Sequence, residues 1–109
     1  MPTTLDEIDA EDGAVVDPKF IPTALTAGKF QFEDGATQEF NSDGTTTYTE
    51  RGRPSEGTWY VQGQLFCSFW PPSYTGCYRV SWLVEAGRIS GLRFADQNSP
   101  SEFVGRYTS

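Results

Sequence analysis

The chain has 109 residues, enough for one domain with a modest core. Its formal net charge is −7, but Asp6, Glu7, Asp9, Glu11, Asp12 and Asp17 crowd a first segment that contains no base. The remainder is nearly neutral with scattered Lys and Arg, which argues against a nucleic-acid partner, because neutralising phosphates takes clustered bases.

Residues 1–27 read as an acidic, mostly disordered tail. Thr4 and Glu7 have the spacing of a capping box for one helical turn through Leu5 and Ile8, and Gly13, Pro18 and Pro22 interrupt anything longer. The run Asp9, Glu11, Asp12, Gly13 is not a calcium loop: counted from Asp9, Ala14 and Phe20 stand where an EF-hand needs its Gly and its bidentate Glu. The apolar residues Phe20, Ile21 and Leu25 are placed to fold back over one end of the domain. No apolar run approaches the ~20 residues of a membrane span. No basic and apolar leader opens the chain either, so it reads as cytosolic or as a mature form.

From Gly28 onward the hydrophobic period becomes two, and turn signals recur about every ten residues. Expected strands are 29–33, with Phe30 and Phe32 on one face, 37–41, 45–50, 58–62, 64–70, 77–84, 88–95 and 103–107. Residues 51–56 read as the longest polar connection. In the fifth strand Leu65, Cys67 and Phe69 are assigned to the core face, which leaves Phe66 outward beside Tyr60. Eight short strands at hairpin spacing predict an all-β domain over 28–109: an antiparallel up-and-down eight-stranded β-barrel, or a strongly curved half-barrel. With 3 Trp, 5 Tyr and 8 Phe, the barrel is expected to be mostly filled.

A turn centred on Pro72 sets Cys67 opposite Cys77, either as a disulfide or as two free core thiols. Two thiols in a chain without His do not make a zinc site, and no cofactor is expected. The absence of His also removes the usual general base and every Ser/His or Cys/His pairing, which points away from an enzyme. The hairpin tip Trp70, Pro71, Pro72, Tyr74 stands out, because rigid prolines hold aromatics where a contact anchor belongs. With Tyr60 and Phe66 it forms a candidate patch for a protein, a sugar or an apolar ligand. Alternatively, Trp70 and Tyr74 fold down and plug one end.

The order Asp43-Gly44, Gly57-Thr58-Trp59, Leu65-Phe66-Cys67, Trp70, Cys77-Tyr78 resembles lipocalin-like small barrels among uncharacterised exported proteins of bacteria. The resemblance implies a β-barrel, a Cys67–Cys77 disulfide and a periplasmic or secreted setting, and it brings no catalytic residues. Ser90-Gly91-Leu92-Arg93-Phe94 is similar to the Ser-Gly-x-x-Tyr motif of the periplasmic inhibitors of c-type lysozyme, with Phe where the motif has Tyr. That similarity implies Ser90 and Phe94 as residues entering a lysozyme cleft; the competing reading is a β-bulge at Ser90-Gly91 with Leu92 and Phe94 in the core. The expectation is therefore a monomeric, non-enzymatic barrel that binds a small apolar or sugar ligand or a protein. A lysozyme inhibitor and a structural or assembly module are the alternatives.

Overall fold

The computed structural model describes residues 5–108, the Asp6 side chain excepted. Its eight strands are β1 (Lys29–Phe32), β2 (Thr37–Phe40), β3 (Thr45–Glu50), β4 (Arg53–Gln62), β5 (Leu65–Trp70), β6 (Tyr74–Glu85), β7 (Arg88–Asp96) and β8 (Glu102–Thr108). Each pairs antiparallel with its chain neighbours, and β1 pairs with β8, so the meander closes into a barrel. Among the described residues no helix is long and apolar enough to cross a membrane.

The polar connection expected at 51–56 is mostly strand. Arg51 and Gly52 alone make the turn, with φ of 53° and 76°, and residues 53–56 continue β4 against β3. A left-handed two-residue turn matches the twist of the strands it joins, so a longer loop is unnecessary. Pro54 is tolerated because this stretch of β4 pairs with β3 alone, β5 joining only from Thr58 onward.

Residues 12–27 are ordered against the barrel rather than disordered, and Phe20, Ile21 and Leu25 lie over one end of it, as their apolar character suggested. The short helix α1 (Ile21–Thr26) carries Pro22 in its first turn and buries Ile21, Ala24 and Leu25 completely, one face at i, i+3, i+4 spacing. These side chains join Val16, Phe30, Phe40, Val80, Trp82 and Leu92 in the core and plug one end of the barrel. The Tyr107 hydroxyl donates to the Ala24 carbonyl at 2.6 Å, giving a partner to one of the oxygens that a helix end leaves unpaired. Burial holds that phenol well above its ordinary pKa.

Residues 12–16 form a strap. Strand β5 begins with Leu65 opposite Arg79, and β6 runs on past that point; the strap takes up the edge left over. Val16 N donates to Val80 O, Trp82 N to Ala14 O and Gly13 N to Trp82 O, each at 2.9 Å. Asp12, expected as a solvated acid, accepts from Val84 N at 3.0 Å and from Arg93 Nη1 at 2.9 Å. An unpaired strand edge invites association with other chains, and here the protein covers its own. A 3₁₀ turn spans Leu5–Glu7; the Thr4 half of the expected capping box lies outside the described residues.

Cys67 and Cys77 stand opposite each other on β5 and β6, with Cα atoms 4.0 Å apart, and are bonded. The turn is centred on Pro72, with Trp70 paired to Tyr74. In the chain-entropy account, closing a loop this short is worth about 2 to 3 kcal/mol. Changing both cysteines to Ser is therefore expected to lower the unfolding free energy by about that much, read from urea denaturation; an unchanged midpoint would show that the hairpin is already closed in the unfolded chain.

Between β6 and β7 the register slips, Leu83 facing Gly91 and Val84 facing Ile89, so Ser90 is the extra residue of a β-bulge. Gly91 has no alternative here: a Cβ would sit 2.0 Å from the Gly105 carbonyl oxygen on β8. The bulged Ser90 hydroxyl donates to Glu85 Oε1 at 2.6 Å, and Arg106 grips the same carboxylate through Nε and Nη2 at 3.1 and 3.0 Å. The Arg106 hydrogen bonds first and the Ser90 hydroxyl second hold the Glu85 pKa down at about 2. A carboxyl whose folded pKa lies below its unfolded one stabilises above the unfolded value and loses that contribution as pH falls through the folded one. Acid is thus expected to erode stability more steeply between pH 4.5 and about 2 in the wild type than in Glu85→Gln, and parallel acid-unfolding curves would refute the assignment.

Candidate functional site

The end of the barrel opposite α1 is hollow. A cavity of about 460 Å³ opens there, with Phe66 and Phe94 at its floor and Phe32, Tyr48, Trp70, Tyr78 and Phe103 around its wall. The barrel is not mostly filled, because small residues alternate with large ones at this end. Ser68 faces Gly76 across β5 and β6, and Gly57 lies beside Trp70 on the neighbouring strand. These three inward positions contribute almost no side-chain volume at the height where the aromatics stand.

Gly57 also sets the pose of Trp70. A Cβ at Gly57 would come within 2.7 Å of Trp70 Cε3, so the indole lies flat against bare backbone. Its Nε1 donates to Ser68 Oγ at 3.1 Å, and its ring meets Tyr48 edge-on at 6.3 Å between centroids. Across the cavity Tyr78 stacks on Phe66 at 5.8 Å and meets Phe103 edge-on at 6.2 Å. Burial above all, with a hydrogen bond to Tyr74, pushes the Tyr78 phenol far above its ordinary pKa, so it stays a neutral hydroxyl.

Two polar side chains line the cavity from buried positions, Ser68 and Gln38. Gln38 is 8 % exposed, and its Nε2 donates to Thr46 Oγ1 at 3.0 Å. Thr46 spends its own hydrogen on Glu39 O at 2.7 Å, so its oxygen must accept from Gln38. The amide orientation is thereby settled, and Gln38 Oε1 is the atom left for the cavity, with no donor among the described residues. At the rim stand Glu33, Asp34 and Glu102, and among the described residues no Lys or Arg lines the cavity.

The expected site residues divide. Trp70 and Phe66 line the cavity. Pro71 and Pro72 are exposed at the lip, and Tyr74 beside them is 56 % exposed. Trp70 thus folds inward while Tyr74 stays in solvent, so neither expectation for the pair holds whole. Tyr60 is on the outer wall opposite Cys67, whereas Phe66 is buried in the core. The outward assignment of Phe66 is corrected: it pairs with Tyr78, which shares a face with Val80 and Trp82, and that face is the one turned to the core cluster. That pairing was the signal for the inward set Phe66, Ser68, Trp70. Nothing local in the sequence marked Gln38, Tyr48 or Phe103, which reach the cavity only through closure of the barrel.

Ser90 and Phe94 do not form a common surface. Ser90 is tied to Glu85 on the outside, and Phe94 is 4 % exposed, with Leu92 fully buried beside it on β7. The β-bulge reading of this segment is the one the structure bears out. Comparison with family models, with curated proteins and with solved structures finds no match to this chain.

Proposed function

We propose that the protein is a binding barrel that takes one small, largely apolar ligand into its open end. The supporting observation is the asymmetry of the interior: α1 plugs one end with fully buried side chains, while the other end keeps an aromatic-walled cavity of about 460 Å³. That volume falls within the range of small-molecule sites, which are mostly apolar with a few placed polar groups. Gln38, Ser68 and the Tyr78 hydroxyl are those groups. The disulfide fits an oxidising compartment, where a soluble carrier would meet its ligand outside the cytoplasm.

A neutral fluorescent probe tests the reading directly. N-phenyl-1-naphthylamine is expected to bind saturably at one site per chain and to quench tryptophan emission, since Trp70 forms the wall. Trp70→Ala removes a wall aromatic and should weaken the probe by about tenfold or more. Tyr60→Ala, on the outer wall, should not change it. Unsaturable binding, or equal affinity for Trp70→Ala and wild type, would remove the proposal.

A further inference from the structure

Given that cavity reading, on which this step rests, we infer that the ligand is an organic cation: an ammonium group joined to an apolar or aromatic body. Three independent features of the site converge on a positive charge. The wall presents pairs of rings set nearly at right angles, Tyr48 with Trp70 at 72° and Tyr78 with Phe103 at 74°. Rings so inclined to one another present a mix of faces and edges to the space they enclose, and ring faces attract cations, quaternary ammonium above all. The rim carries the carboxylates Glu33, Asp34 and Glu102, and among the described residues no base lines the cavity itself, Arg106 reaching Glu33 from outside it.

Of those acids, Glu33 is shared with Arg106 at 3.7 Å, and Asp34 accepts from Ala36 N at 3.0 Å. Glu102 has no hydrogen-bond or ion-pair partner among the described residues. Among those residues no group of three acids converges closely enough to hold a metal ion, so the rim field is suited to a diffuse organic charge rather than a bare divalent one. The third feature is Gln38 Oε1, an acceptor with no donor among the described residues on a side chain that is 8 % exposed and lines the cavity, which can take an N–H or a polarised C–H from the occupant. Arg51 and Arg53 line an adjoining hollow with Glu50, Ser55 and Tyr48, the last of which it shares with the cavity.

Calorimetric titration at low ionic strength compares three phenyl probes: phenyltrimethylammonium, its neutral isostere tert-butylbenzene, and the anion benzoate. The cation is expected to bind about tenfold more tightly than the isostere, the ring faces and rim charge acting together. Glu102→Gln and Asp34→Asn should each weaken the cation by about threefold and leave tert-butylbenzene unchanged, with the effect shrinking as salt is added. Glu11→Gln, which changes net charge equally on a residue outside the cavity, should alter neither. Equal binding of cation and isostere, tighter binding of benzoate, or an equal effect from Glu11→Gln overturns the cation assignment. If the neutral naphthylamine still binds in that event, the cavity reading survives; if it too fails, both fall together.

Discussion

Replacing Leu25 by Ala is expected to lower the unfolding free energy by about 2 to 5 kcal/mol, and the melting temperature by roughly 10 to 20 °C. Leu25 belongs to the apolar end of an acidic segment, placed by the sequence to fold back over the domain; in a free tail the change would fall within about 0.5 kcal/mol. Its side chain is instead fully buried in the plug, among Ile21, Ala24 and the first core layer. Truncation leaves a hole that the plug cannot close. The helix is pinned from both sides, by the Tyr107 hydroxyl on Ala24 O and by the strap whose Val16 is itself fully buried. Ala27→Ser, at an exposed position just past the helix, is the control and should be silent. Equilibrium urea unfolding followed by tryptophan emission reads both variants. A Leu25→Ala protein as stable as wild type would mean that α1 contributes nothing to the barrel.

The same residue shows where sequence reading reaches and where it stops. Strand number, order and most boundaries were legible because alternation and turn chemistry are local: Phe30 and Phe32 share a face, and the Ala86-Gly87 turn, with φ of 53° and 76°, announces itself. The Cys67–Cys77 pairing followed from one turn centre. The strap was illegible because its partners lie some 70 residues away: Asp12 looks like any solvated acid until Val84 N and Arg93 arrive beside it. The cavity was illegible for a related reason. Counting aromatics suggested a full barrel, yet filling depends on which heights the small residues occupy. Ser68 comes opposite Gly76, and Gly57 beside Trp70, only when three strands are in register. Phe66 was misplaced for want of a single parity, since its neighbours Leu65 and Cys67 are as apolar as it is and only the pairing with Tyr78 decides.

Phe30→Ala carries the other large effect, and it separates what holds the barrel together from what shapes its mouth. Phe30 is fully buried and touches three rings, Phe40 and Phe94 at 5.8 Å and Tyr107 at 4.7 Å between centroids. Its loss is expected to cost about 3 to 5 kcal/mol, since the transfer term of a buried phenyl and the cavity left behind add together. Phe94, which Phe30 supports from below, is part of the cavity floor, yet it is also held by Phe66 at 5.8 Å and Phe32 at 6.0 Å. Two of its three ring partners remain in the variant, so the floor should keep its height. At a temperature where Phe30→Ala is still folded, the naphthylamine probe is therefore expected to bind within about threefold of wild type, a difference under 1 kcal/mol. Stability would then drop steeply while binding stays level. Loss of probe binding by a folded Phe30→Ala protein would instead show that plug, core layer and mouth act as one unit, with the cavity dependent on packing at the far end of the barrel.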